Sequence, residues 1–367
     1  MPAKPSQPRV VLILISLMLP LAALASTAAP ADEAQAAARL QRLGDLVSND
    51  RQLDARSWLL EVSSDPALAV NAREYLLYEG LLALGSLLAP DEQTTDAVKE
   101  LLGYQSASTT ILTEGNHRLT VALHDVASAA RLTLGNWRMR AARDEILSKI
   151  ARGQAPLPAW SADPDENRHI AAGLEQALAE LSPAELQAWR MHISSAFVEE
   201  PRLAGSVLLI ATRLDDVYLY RQLAVTGPAA VVIDMMRGLE QSLDSAQSLA
   251  IFDLVRQRDK LASAAILAIG RLQAGYPAAK EQLFALLDDP QHGASAAGAL
   301  ARYGDLSDIR RLGGVILDDS AGAQRRTAVL ALRLHASPAA RAELGRLAAN
   351  ARLSLNLRQE IAQWLAL

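Results

Sequence analysis

The sequence predicts an all-α chain whose C-terminal part is a stack of antiparallel helix pairs, an α-solenoid. Three observations carry this. Ala and Leu dominate, apolar residues return at three- and four-residue steps, and alternating β-branched runs are scarce. A repeat of about 32 residues closes the chain, and a period in that range marks a stack of like supersecondary units. Ala265, Ala297, Ala328 and Glu360 follow one another at steps of 32, 31 and 32. Helix-start signals also punctuate the apolar runs, the fullest being Ser182-Pro183-Ala184-Glu185, with a capping Ser, a Pro at the first helical position and a Glu at the third.

The first segment reads as a leader. Lys4 and Arg9 form a basic start, Val10 to Leu19 is apolar except for Ser16, and Pro20 ends the run. Ala23-Leu24-Ala25 offers small residues where a signal peptidase reads, so residues 1–25 are expected to be cleaved on export. The run is short for a bilayer span, which needs about 20 apolar residues. Ser26 stands where a lipid anchor would need Cys, and the chain has no Cys at all. No disulfide is therefore expected, which suits a chain long enough to bury its own core. The expected location is the bacterial periplasm or outside the cell. No later segment reads as a membrane span: Thr226, Gly227, Pro228 and Asp234 interrupt the best candidate, Val225 to Met236. The whole chain carries −5, and loss of Lys4 and Arg9 leaves 34 Lys and Arg against 41 Asp and Glu, or −7. An acidic chain without clustered Lys and Arg is a poor nucleic-acid binder.

Residues 26–34 are small and polar and are expected to fray. Residues 35–152 read as an N-terminal helical block. Asp65-Pro66 should open a helix there, and Leu76 to Leu84 carries the wide apolar stripe of a helix packed on two sides. Gly85, Gly103 and Gly270 sit near expected helix ends. Asn precedes Arg by two residues at Asn71/Arg73, Asn116/Arg118, Asn136/Arg138 and Asn356/Arg358, which reads as an Asn cap with an Arg in the first turns. Gly153-Gln154-Ala155-Pro156-Leu157-Pro158-Ala159 opens a linker, 153–163, since two nearby prolines stop helices. Residues 164–367 form the second block, with clear repeats from about 240. Asp163-Pro164 and Ser337-Pro338 start helices in it. Ala297, Gly298 and Ala299 should let neighbouring helices approach closely, with Leu267, Leu300 and Leu330 filling between layers. An unpaired charge at Leu330 would then collapse its layer. Leu357 to Leu367 should cap the stack, with Trp364 and Leu367 folding back or meeting a partner.

These units resemble HEAT repeats, the stacked helical pairs of α-solenoids, and the short bacterial type is the closer likeness. The residues carrying the resemblance are Asp65-Pro66 with Val70-Asn71-Ala72-Arg73 and Leu82-Ala83-Leu84-Gly85. The pattern returns in Asp288-Asp289-Pro290 with Ala296-Ala297-Gly298-Ala299-Leu300-Ala301, and in Asp318-Asp319 with Arg325-Arg326-Thr327-Ala328-Val329-Leu330. It covers roughly 240–367 and 65–90, and residues 100–235 depart from it. The resemblance implies a surface for a protein partner along the row of second helices.

No catalytic constellation is legible. His-Glu-x-x-His, Gly-x-Ser-x-Gly, Ser-x-x-Lys and Gly-rich phosphate loops are all missing. His117 and His124 could share a helix face, but a metal asks for more ligands than two. Glu199-Glu200 and Asp215-Asp216 read as solvated carboxylates paired with Arg202, Arg213 or Arg221, not as the facing acids of a glycosidase. Neither cofactor nor metal is expected. The expected function is a non-catalytic exported scaffold that binds an envelope or secreted protein. Arg271, Arg302, Tyr303, Arg333, His335 and Trp364 recur near corresponding points of successive units and are the candidate contacts, Arg, Tyr and Trp being common hot-spot residues. Two alternatives stand beside it. One is an all-α enzyme acting on envelope polysaccharide, with Trp137, Trp160 or Trp189 lining a cleft. The other is a dedicated inhibitor or assembly factor for a neighbouring exported protein.

Overall fold

Side-chain oxygens start many of the helices. Asp91, Asp163, Ser182, Asp216, Asp244, Asp305, Ser337 and Ser354 each accept a backbone N–H of the first turn that would otherwise be unpaired. The computed structural model describes residues 30–49, 52–86, 90–115, 117–318 and 320–366. Among these it is all-α, with 18 α-helices and one two-stranded sheet. The expected leader and its cleavage site lie outside the described residues. Helix α1 begins at Pro30, and residues 26–29 of the segment expected to fray lie outside the described residues. No described helix is long and apolar enough to cross a membrane.

The chain divides into two compact units at Arg140/Ala141, inside helix α5 (Val126–Ala151) and ahead of the proline-rich segment. That segment belongs to the second unit. Pro156 is buried, Leu157 packs on the second core, and Lys149 Nζ donates to Leu157 O at 3.0 Å.

The first unit packs α1 (Pro30–Ser48), α2 (Gln52–Ser64), α3 (Val70–Leu84), α4 (Glu92–Glu100) and the start of α5 around Leu43, Trp58, Leu76, Leu81 and Trp137. Trp58 packs close against α3 because position 80 is Gly: a Cβ there would stand 2.5 Å from the ring. Asp65-Pro66 forms a turn and does not open a helix. Asp65 accepts from Ala67 N at 2.9 Å, and α3 starts only at Val70. Strands β1 (Thr109–Glu114) and β2 (His117–Ala122) form an antiparallel hairpin, with Leu112 opposite Leu119. Its base is held to α3 by the buried Glu74 carboxylate, which accepts from Ala107 N at 2.6 Å and Ser108 N at 3.0 Å.

The hairpin corrects two expectations. Arg118 lies in β2, with its paired Asn116 outside the described residues, and His117 is in a strand, so it shares no helix face with His124. None of the other Asn-x-Arg pairs is a cap either: Asn71, Asn136 and Asn356 lie within α3, α5 and α18 (Leu355–Leu365), and Ser354 caps the last of these.

In the second unit, helices alternate between two rows. One holds α6 (Pro164–Glu180), α8 (Ala204–Leu214), α10 (Ala229–Ser242), α12 (Ala262–Leu272), α14 (Gly293–Tyr303) and α16 (Gly322–His335), each packed on the next. The other holds α7 (Pro183–Glu199), α9 (Val217–Thr226), α11 (Ser245–Arg256), α13 (Pro277–Leu286), α15 (Leu306–Leu317) and α17 (Pro338–Ala348). There, close contact between successive members is confined to α9 with α11 and α15 with α17. The first row packs tighter, and among its buried residues are many small ones: Ala204, Ala211, Ala265, Ala268, Ala297, Ala299, Ala328 and Ala331. Interaxial distance follows the side chains at the contact. The other row carries Phe197, Tyr220, Phe252 and Phe284.

Stacking thus begins at α6, well before residue 240. Variable helix lengths and a 3₁₀ turn, Pro201–Leu203, hide it from a fixed period. Ala265, Ala297 and Ala328 are fully buried, but the fourth position is not: Glu360 is exposed and Ile361 is buried instead. Helix α18 packs closely on α17 rather than α16, which shifts the register. Trp364 is half-buried, with the Arg333 guanidinium 4.6 Å above its ring, and Leu367 lies outside the described residues.

Two further expectations change. Leu330 is half-buried while Leu300 and Leu332 are wholly buried, so these, not Leu330, are the positions where a charge would break a layer. Gly298 is not a close-approach residue, since a Cβ there meets nothing within 4 Å. Gly270 is one: its Cβ would stand 2.8 Å from Tyr303 Cδ2 and 3.0 Å from Ala299 Cβ. Gly270→Ala should therefore cost about 1–3 kcal/mol by overpacking α12 against α14. Gly298→Ala should stabilise by about 0.5–1 kcal/mol through helix propensity alone. Urea unfolding midpoints of the two variants should move in opposite directions.

Candidate functional site

Helix C-termini leave carbonyls unpaired unless something donates to them. The residues singled out in the sequence lie at these ends. Arg271, at the end of α12, donates from Nη2 to Met236 O, inside α10, and from Nε to Glu240 Oε1 in its last turn, both at 2.8 Å. His335, at the end of α16, contacts Gly304 O through Nε2 at 3.3 Å, just past α14. Tyr303 packs across Gly270, and Arg302 lies over the Tyr303 ring at 5.5 Å. Arg271, Tyr303 and His335 are thus contacts between layers, and only Arg302 and Arg333 of the six are largely exposed. The structure strings the six along successive layers and gathers no common pocket from them. Trp364 lines a cleft of about 450 Å³ with Arg325, Arg326 and Ser354, running along α18 beside the first half of α16.

A larger cleft, about 810 Å³, opens at the start of the small-residue row, where α6, α8 and α10 meet. Pro164 and Pro201 begin α6 and the 3₁₀ turn before α8, and Pro228 precedes α10; all three line the cleft. Ala171, Ala172, Ala204, Gly205 and Val231 give it a small apolar floor. The loop ahead of α6 is fixed by buried Asn167, which accepts from Ser161 N and donates to Ser161 O, each at 2.8 Å.

Three charged side chains line the cleft. Arg202 grips Glu200 through Nε at 2.6 Å and Nη2 at 2.7 Å, and its guanidinium stacks 4.7 Å over Trp160. That grip holds the Glu200 carboxyl below its usual pKa. Arg168 pairs with Asp165. Glu175 is different. It makes no hydrogen bond or ion pair among the described residues, and burial alone pushes its carboxyl pKa up. Its carboxylate rests on the first turn of α8 at Gly205, where any Cβ would overlap it.

This lining supplies one carboxylate, not the facing pair that acid–base glycoside chemistry uses. Of the tryptophans, Trp137 is buried in the first unit with Nε1 donating to Leu84 O at 3.0 Å, Trp189 packs against His192, and Trp160 alone stands beside the cleft. His124 is buried against Tyr75, 5.3 Å between centroids, and burial holds its pKa low. No cluster of His, Asp and Glu that could hold a metal occurs among the described residues. The carboxylate pairs are separated by their partners: Glu200 takes Arg202, whereas Asp216 takes Arg190, 3.0 Å from Nη2, and Asp215 turns away in a left-handed conformation with φ 48°. Arg213 instead donates to Ala179 O and Leu181 O. Comparison with protein-family models and with curated proteins gives no match.

Sequence reasoning missed Glu175. Its signal is the lack of a basic partner among the described residues, which no spacing in the chain encodes.

The raised pKa means the folded chain holds the Glu175 proton more tightly than the unfolded chain does. Its destabilising contribution is absent below about pH 4, where both states are protonated, and grows as pH rises through the folded value. Glu175→Gln should raise Tm near neutral pH by about 1–2 °C and leave it unchanged below about pH 4. Thermal melts at the two pH values check this.

Proposed function

We propose that this chain is an exported, non-catalytic scaffold of short HEAT-like repeats that binds another protein along its small-residue helix row. The carrying observation is that row: six helices packed in unbroken succession, with an open cleft at its start and no second carboxylate in the lining. Stacked repeats present such a row as one extended surface. The cleft has the size of an ordinary binding site. Its rim offers Trp160 stacked under Arg202, the aromatic and guanidinium pairing common at binding hot spots.

The reading moves the expected contact face. Arg271, Tyr303 and His335 serve the stack itself, and the cleft residues Arg168, Glu175 and Arg202, with Trp160 under Arg202, take their place, with Arg302, Arg333 and Trp364 accessible further along. Export rests on the leader pattern of residues 1–25.

Tagged chain beginning at Ser26 should retain one stoichiometric partner from crosslinked envelope extract. That capture should be lost on replacing Trp160 and Arg202 together with Ala, and kept when Arg302 is replaced. Equal capture by all variants would place the contact elsewhere. Absence of any partner, with release of fragments from purified envelope polysaccharide, would overturn the scaffold reading.

A further inference from the structure

We infer that the cleft between α6, α8 and α10 receives a lysine or arginine side chain of the bound polypeptide, its cationic head on Glu175 and its aliphatic stem on the small-residue floor. The inference rests on the scaffold reading and names the chemistry of its partner.

Charge accounting selects a cation. Of the charges lining the cleft, Arg168 is paired with Asp165 and Arg202 with Glu200. Glu175 alone has no partner among the described residues. A carboxylate partly withdrawn from water without a hydrogen bond is disfavoured in its charged form, and a cation brought to it relieves that cost. The fold makes room for this arrangement. Position 205 is Gly, and any side chain there would displace the Glu175 carboxylate from the cleft floor.

The floor selects a long stem. Ala171, Ala172, Ala204, Pro228 and Val231 line the approach to Glu175 without a hydrogen-bonding side chain between them. Lys and Arg bury such methylene stems on apolar surface while the head reaches a polar group. A bare divalent cation fits poorly, because it asks for several oxygen ligands and the lining supplies one carboxylate. An anion would meet the unpaired Glu175 and two arginines already neutralised. A volume of about 810 Å³ exceeds one side chain, leaving room for the backbone on either side of it. The net charge of −5 draws basic partners from a distance.

The raised Glu175 pKa adds a pH signature. Binding a cation requires the ionised form, so affinity is full above the folded pKa and falls as pH drops through it. The other charged groups lining the cleft are Arg168, on the same helix as Glu175, and Arg202, from the turn before α8, each held by its own carboxylate.

The test is a chemical-shift titration of isotope-labelled chain beginning at Ser26, following the Gly205 amide. The probes are end-blocked pentapeptides of Ala with Lys, Arg, norleucine or Glu at the centre, and free spermidine. Lys and Arg peptides should shift Gly205 and bind about tenfold more tightly than norleucine, a difference of about 1.4 kcal/mol. Glu175→Gln, which should fold at least as stably, should bring Lys down to norleucine. Lowering the pH should weaken the Lys peptide and not norleucine. Equal binding of Lys and norleucine, no shift at Gly205, or indifference to Glu175→Gln would overturn the inference. Spermidine binding as tightly as the peptides would overturn the polypeptide source. Should the captured envelope partner bind Glu175→Gln unchanged, the scaffold reading survives and this inference fails. Absence of both the partner and the peptide response removes both.

Discussion

The second unit depends on one constraint: none of its short helices can finish itself, either on its apolar face or at its C-terminal end. Helices of ten to fourteen residues are marginal alone in water, and the last carbonyls of each need donors. The next layer supplies both. Arg213 donates to Ala179 O and Leu181 O, and Arg258 to Ala224 O and Gly227 O. Further along, Gln324 reaches Phe284 O and Thr327 reaches Leu287 O. The bonds of Arg213 and Arg258 reach back 31 to 34 residues, near the spacing of the buried alanines, and those of Gln324 and Thr327 reach back 40. A cationic donor at a helix C-terminus also meets the negative end of the macrodipole.

The cleft follows from a local departure from that rule. Between α7 and α8 the chain inserts the 3₁₀ turn Pro201–Leu203, and the first helix of the row is entered through the loop fixed by Asn167. Prolines hold these starts, and Ala and Gly hold the floor, so the helices meet with space between their first turns. Glu175 then occupies a spot where the stack offers it neither donor nor counter-ion, and the strained charge becomes available to something from outside.

Much of this was legible in the chain. The capping box at Ser182 and Glu185, the starts at Asp163 and Ser337, and the buried Ala265, Ala297 and Ala328 appear where local chemistry places them. Those features depend on residues within one helical turn or one repeat. The misses depend on neighbours distant in sequence. The hairpin alternates only weakly, and its strands, exposed on both faces, are anchored by Glu74 from α3. Gly298 and Gly270 look alike in sequence and differ only in what stands opposite. The arginines stand out in sequence by their recurrence, but their partners one layer back decide that Arg271 serves the fold.

Hydrogen exchange on Arg258→Ala tests this layer-to-layer account most directly. Its guanidinium closes the end of α9 at 3.0 Å from Ala224 O and 2.8 Å from Gly227 O. The account predicts faster exchange in the last turn of α9 and in the helices packed on it, with α14 and α16 unchanged. Uniform loss of protection across the second unit, or no loss in α9, would contradict it.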